Sequence, residues 1–282
     1  MGGLMKGFCT LARVLVVLCC FTLLVAALVA CAGAGTADSE TAAGGGTASE
    51  EISAETVPED GVALEEQPPQ SGVPLVWDED LSLYLLPSPR KSGEVSVEEA
   101  LAGRRSQRVF TDEPLTALQL SQMMWAANGV SSTSGQRTLR TAPSAGATFP
   151  LTIYAVVGNV EGLQPGVYRY AVYAHGLQPV SDSDVRAHLR SAALGQSMVE
   201  NAPLTIAIAA DFSKTTDRYG ERGIMYTHME VGHVGQNIYL QAEALGLGTC
   251  AIGAFTDDRV GNVLQLPANE VPLYLMPVGH YR

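Results

Sequence analysis

Residues 90–282 predict an α+β domain, a central mixed sheet covered by helices with one long helix among them, on three observations. Short runs of branched and aromatic residues, bounded by Gly, Pro, Asn or Asp, read as strands. Amphipathic segments with apolar residues at three- and four-residue intervals lie between them. The two kinds of segment do not alternate strictly, which argues against a doubly wound parallel fold.

The segments before this domain differ in composition. Residues 1–31 carry Lys6 and Arg13, the apolar stretch Val14 to Ala30, and the end Leu28-Val29-Ala30-Cys31, which resembles the lipobox of a bacterial lipoprotein signal. Cleavage would leave Cys31 first and lipid-bearing, anchored to a membrane on the extracytoplasmic side of a bacterial cell envelope. The alternative is an uncleaved transmembrane helix, for which seventeen residues just suffice. Residues 32–89 are expected to be a spacer, and as far as Pro74 they are rich in Ala, Gly, Thr, Ser, Pro and acid and hold no Lys or Arg.

Without residues 1–31 the chain has 15 basic and 29 acidic side chains, and nine of the acids lie between Ala32 and Pro74. The acidity is therefore mostly linker, and it argues against nucleic-acid binding. Cys9, Cys19 and Cys20 fall in the signal, so Cys250 is the one cysteine left after Cys31, and no bridge can form within the domain. The apolar setting Gly-Thr-Cys-Ala-Ile makes Cys250 a core residue more readily than a nucleophile.

Within the domain, Ser96 and Glu99 have capping-box spacing and open a helix ending near Gly103. A second helix starts at Pro114 and stops at Asn128-Gly129. Leu151 to Val157, Val167 to Val172 and Leu204 to Ala210 are strands, with a helix from Asp182 to Leu194 between the last two. The longest helix runs from Gly223 to Leu245, where Val231, Val234, Ile238, Ala242 and Leu245 recur on one side, and would span roughly 35 Å. A strand-like stretch Thr249 to Phe255, a helix Asp257 to Leu266 and a strand Leu273 to Val278 complete the series.

Three stretches suggest chemistry. Arg104-Arg105-Ser106-Gln107-Arg108 gathers three guanidinium groups and a hydroxyl, which reads either as a solvated basic turn or as an anion site, since arginine grips phosphate bidentately. Pro143-Ser144-Ala145-Gly146 is either a plain loop or a place where small residues open the backbone to a flat ligand and Ser144 donates to it. Gly246 to Phe255 includes Gly253 and Ala254, whose amides could approach a cofactor. The order helix, glycines, strand is the reverse of a dinucleotide fingerprint.

Taken in order, with Leu120 to Gly129, Pro165 to Tyr170 and Leu275 to Gly279, these stretches resemble the nitroreductase family from Gly103 to Arg282. The nearest likeness is to its branch of SagB and thiazole/oxazole-forming dehydrogenases. The resemblance implies a nitroreductase-like homodimer, with the long helix as the dimer element and FMN at the subunit interface. It implies that Arg104, Arg105, Ser106 and Arg108 hold the FMN phosphate and ribityl chain, joined by Arg282. It also implies that Pro143, Ser144, Ala145 and Gly146 line the isoalloxazine ring, with Gly253 and Ala254 on its other side. The chain departs from ordinary nitroreductases in reading Ser144-Ala145-Gly146-Ala147-Thr148-Phe149-Pro150-Leu151, without the Asn and Gln side chains near the flavin.

Other chemistries are disfavoured. His228 and His233 are five apart, about 140° around a helix, so they do not share a metal as an i, i+4 pair would. Glu230, His233, Gln236 and Asn237 are expected at an interface or in a polar core, with His233 also a possible proton donor near the ring. No Gly-x-Ser-x-Gly occurs. The expected function is thus an FMN-dependent oxidoreductase acting on a small organic substrate; the alternative is a non-catalytic envelope protein binding flavin or another planar ligand.

Overall fold

Strands β5 (Leu151–Val157) and β8 (Leu204–Ala210) are buried at every position, because helices cover both faces of the sheet they centre. The computed structural model describes residues 73–134 and 137–282. Residues 1–72, with the signal, Cys31 and most of the spacer, lie outside the described residues.

The sheet also takes in β1 (Val76–Asp78), β2 (Leu83–Leu85), β6 (Gly166–Ala171), β7 (Gly176–Ser181), β9 (Gly248–Thr249) and β10 (Val271–Gly279). Its order is β1-β2-β7-β6-β5-β8-β10-β9. β3 (Val130–Ser134) and β4 (Arg137–Arg140) form a separate hairpin. All these strand pairs are antiparallel; among the described residues parallel pairing enters only through the isolated bridges Ser106 with Thr249 and Leu115 with Val160. The expected mixed sheet is therefore an antiparallel one with parallel contacts at its margins.

On one face, α2 (Ala117–Asn128) brings Leu120, Met123 and Met124, and the long helix α6 (Arg222–Ala244) brings Val231, Val234 and Ile238, onto Ile153, Ala155, Ile206 and Ile208. On the other, α3 (Arg186–Ala192), α4 (Met198–Asn201) and α7 (Asp257–Leu264) bring Leu189, Val199, Val260 and Leu264 onto Tyr154, Val156, Ala207 and Ala209. Among the described residues no helix is long and apolar enough to cross a membrane.

Several boundaries differ from expectation for local reasons. Residues 76–85, allotted to the spacer, form a hairpin that joins the sheet through β7, with Trp77 edge-on to Tyr84 at 4.9 Å. α2 starts three residues after Pro114 because Leu115 bridges Val160, leaving Thr116 and Gln119 to make the capping box. α3 is shorter than the stretch Asp182 to Leu194. It begins where Asp184 accepts from the Arg186 amide, and it is followed by Leu194 and Gly195, both with positive φ. The strand expected over Thr249 to Phe255 stops early, since the Ala251 amide turns away to a tyrosine hydroxyl.

Ile206, fully buried at the centre of β8, tests the two-faced core. Ile206→Ala is expected to lower the unfolding free energy by about 2–5 kcal/mol, measured by urea denaturation.

Candidate functional site

The basic segment is positioned by the helix before it. In α1 (Val97–Gly103), Ser96 Oγ accepts from the Glu99 amide at 3.1 Å and the Glu99 carboxylate accepts from the Ser96 amide at 2.8 Å. At the other end, a Cβ on Gly103 would collide with the Glu243 carboxylate, so this residue rests on the C-terminal part of α6. From there residues 104–108 pass across Tyr239 of α6. The Arg104 guanidinium carbon lies 5.1 Å from the Tyr239 ring centroid, within cation–π range. Ser106 Oγ is 3.0 Å from the Tyr239 hydroxyl, which accepts from the Ala251 amide at 2.8 Å. With its oxygen taken, the phenol is free to donate its hydrogen to Ser106. Gln107 donates its amide to the Thr249 carbonyl at 2.9 Å, completing the tie between the basic segment and β9.

The three arginines have different surroundings. Arg105 turns back on α1, its Nη1 donating to the carbonyls of Ala102 at 2.9 Å and Arg104 at 2.8 Å, and so satisfies the open end of that helix. Arg104 and Arg108 enter none of the ion pairs found among the described residues. Beside them the Thr249 hydroxyl is buried without a partner. Arg282 is carried alongside, because Tyr281 bridges Phe110 and the Thr111 amide donates to His280 at 2.9 Å.

Beyond β9, Gly253 and Ala254 are exposed, and among the described residues their amides donate to no protein acceptor. The loop is held from behind by Gln196, which donates to the Ala254 carbonyl at 2.8 Å. A Cβ at Gly253 would sit 3.5 Å from the Tyr274 ring, in ordinary contact, so this glycine keeps one side of its backbone open.

Pro143, Ser144, Ala145 and Gly146 lead into a turn that packs against another part of α6. A 3-10 turn, Ala145–Ala147, follows Ser144, whose Oγ accepts from the Phe149 amide at 2.9 Å. Gly146 has φ +59°, and Arg218 of α5 (Ser213–Tyr219) donates to its carbonyl at 2.9 Å. The Tyr219 hydroxyl stands where a Cβ would project, so both the conformation and the space call for glycine.

Next to this turn is Glu230 of α6, 2% exposed, with Oε1 lacking any partner. Burial pushes its carboxyl up to about 7; the Ser144 hydroxyl and, more weakly, the Arg140 guanidinium pull the other way. Arg140 lies 4.1 Å from the Phe149 ring centroid and 5.6 Å from that of Tyr173, and its Nε is buried without a partner. Glu230 is thus in a polar core, one of the two surroundings expected for it.

The structure brings Arg104, Ser106, Arg108 and Arg282 into one region that runs through Thr249 towards Gly253 and Ala254. It sets the Pro143 to Gly146 loop apart. Glu230 and Tyr239 are nine residues apart on α6, which puts them about 180° apart around its axis and roughly 13 Å along it. The sequence pattern does not single out Tyr239, although an aromatic hydroxyl in a helix facing the basic segment is visible in principle as one edge of the apolar stripe. His228 and His233 are on the exposed side of α6, His228 donating Nδ1–H to the Ile224 carbonyl at 2.8 Å. Cys250 is 1% exposed and burial raises its thiol, in keeping with a packing role.

Residues 101–280 match the family model described as Nitroreductase family. A protein of Methanocaldococcus jannaschii, named as a nitroreductase, is 46% identical over 186 residues, 66% of this chain and 91% of its own. The microcin B17-processing protein of Escherichia coli is 29% identical over 158 residues, 54% of this chain and 58% of its own. Among solved structures, one from Ralstonia eutropha described as a nitroreductase superposes with a TM-score of 0.62 at 25% identity, covering 74% of this chain and 94% of that one.

The buried carboxyl makes stability depend on pH. Its folded value of about 7 lies above the ordinary 4.5, so its stabilising contribution is complete below about pH 4.5 and is lost as pH rises through 7. Between about pH 5 and pH 8 the wild type is expected to lose up to about 3 kcal/mol more than Glu230→Gln, measured by urea unfolding at each pH.

Proposed function

The chain belongs to the nitroreductase family and is a flavin-dependent oxidoreductase, and from that premise we propose that its flavin is FMN, held between two copies of the chain. The observation that carries this reading is the pair Arg104 and Arg108, free of ion pairs, on either side of Ser106 and beside the partnerless Thr249 hydroxyl. A buried hydroxyl with nothing to bond and two uncommitted guanidiniums fit a phosphate and a ribityl chain. Arg104, Ser106 and Arg108 would hold the phosphate with help from Arg282, while Arg105 keeps the turn in shape. The amides of Gly253 and Ala254, without protein acceptors, would face the ring. When bound, FMN supplies a ring that accepts a hydride from a donor and passes the electrons to an acceptor. The protein's part is to orient the two molecules and exclude water.

The separation across α6 favours a second copy. One protomer's Ser144 and its own Arg104 lie against opposite flanks of the helix. α6 also has an exposed side with Met225 and Met229, 45% and 50% exposed, and Gly232, beside which there is open space. A homodimer packed on that side would bring Pro143, Ser144, Ala145 and Gly146 of one copy to the phosphate region of the other.

The substrate is proposed to be a small organic molecule, and the chain to lie on the SagB side of the family, as the similarity to the microcin B17-processing protein favours. The lipobox at Cys31 supports a domain tethered to a membrane of the bacterial envelope, outside the cytoplasm. Reduced nicotinamides are cytosolic, so the electron donor is proposed to be a quinol or the organic substrate itself.

Two experiments test this. Arg104→Ala and Arg108→Ala are each expected to weaken FMN binding about ten- to hundredfold in a fluorescence titration and to leave riboflavin, which has no phosphate, almost unaffected. Under anaerobic mixing, a soluble quinol is expected to bleach the flavin absorbance faster than NADPH does; rapid bleaching by micromolar NADPH would overturn the proposed donor.

A further inference from the structure

Glu230 is the one acidic side chain buried in the long helix. Around it the helix is packed with Thr227, Val231 and Val234. Thr227 is itself satisfied, donating to the Gly223 carbonyl at 3.0 Å. From the elements packed against it, the groups that face the carboxyl are the Ser144 hydroxyl and the Arg140 guanidinium of β4. Neither forms a close ion pair with it, and Oε1 is left without a partner. Such a carboxyl is more comfortable neutral than charged.

The state of this carboxyl decides what Ser144 can do. A serine hydroxyl has one hydrogen to give and two lone pairs to receive with. One lone pair is already used, by the Phe149 amide at 2.9 Å. With Glu230 as the acid, its own O–H can donate to the second lone pair, and the serine hydrogen is free to point away from the helix. With Glu230 ionised, the serine hydrogen is drawn to the carboxylate, because a charge-assisted bond is roughly twice as strong as a neutral one.

We propose that Glu230 is a positioning residue that sets the direction in which Ser144 offers its hydrogen, so that only the acid form lets Ser144 donate to a carbonyl of the flavin ring. This rests on the reading that Ser144 borders the ring. It assigns to the polar core behind the loop the role of orienting a donor, in a chain whose loop lacks the Asn and Gln side chains of ordinary nitroreductases. Arg140 belongs to the same unit: stacked between Phe149 and Tyr173, it supplies a nearby positive charge that keeps the ionised form within reach near neutral pH.

The test is a fluorescence titration of the full chain with FMN at about pH 6 and about pH 8, on either side of the carboxyl's value of about 7, for wild type, Glu230→Gln and Ser144→Ala. Ionisation of the FMN phosphate affects all three alike and cancels in ratios taken at one pH. The Gln amide donates to Ser144 as the acid does, at every pH. Wild type is therefore expected to match Glu230→Gln at the lower pH and to bind about three- to tenfold more weakly than it at the higher, the worth of one neutral hydrogen bond. Ser144→Ala is expected to bind about three- to tenfold more weakly than wild type at the lower pH and equally at the higher. Glu230→Gln binding weaker than wild type by the same factor at both values would mark Glu230 as merely structural and overturn the inference. Should Glu230→Gln fail to fold, a ratio of Ser144→Ala to wild type that does not change with pH overturns it alone. FMN binding in wild type with no such pH-dependent ratio sinks this inference and leaves the flavin reading standing, whereas no FMN binding in wild type sinks both.

Discussion

The burial of one stripe of α6, from Thr227 through Val231, Val234 and Ile238 to Ala242, fixes the position of every group with chemical potential in this domain. That stripe is pressed onto the central strands and α2, so the helix can neither roll nor slide without exposing core. Its two edges then become reference points. Tyr239 stands on one edge and gathers Arg104, Ser106 and the Ala251 amide. Glu230 stands on the other and faces Ser144 and Arg140. A helix is well suited to this, because its edges keep a constant separation that loops could not hold between themselves.

The same helix explains why a run of three arginines is not three equivalent cations. Where α1 ends on α6, its last carbonyls have no intrahelical donors, and the nearest guanidinium, that of Arg105, supplies them. Arg104 is laid over an aromatic face, which satisfies its flat surface and leaves the edge of its fork free for another partner. Arg108, beyond Ser106, has the exposure of a residue with no internal task. Arg104 and Arg108, in no ion pair among the described residues, thus stand near a hydroxyl that has nothing to bond.

Much of this was legible in advance, and the reason differs from element to element. The capping box at Ser96 and the stripe of α6 are local signals, written in spacing, and both appear where they were read. β5 and β8 were equally clear, since covering both faces makes a strand apolar throughout. What spacing could not convey were contacts between distant segments. The hairpin of β1 and β2 is too short to announce itself against an acidic spacer, and it exists because β7 offers an edge. The early end of β9 depends on a tyrosine hydroxyl twelve residues away. Glu230 could be seen in the sequence as a polar residue beside the stripe, but its burial depends on where the Ser144 loop folds, which no pattern within the helix reveals.

The arrangement of the two edges bears on why a second copy is proposed. Gly232 lies between Glu230 and Tyr239 along α6, on its exposed side, with nothing near the place of its missing side chain. Two helices can approach closely at such a point. If two copies of α6 cross there about a two-fold axis and run antiparallel, residues before Gly232 in one copy meet residues after it in the other. The stretch around Met225 to Glu230, where the Ser144 loop is packed, then falls beside the stretch around Gln236 to Tyr239, where Arg104 and Ser106 are gathered. A flat ligand held by its phosphate on one copy would find the other copy's loop over its ring, and symmetry would make two such sites at once. On the proposed pairing, the separation of the two edges on one chain would let two chains close a pair of sites.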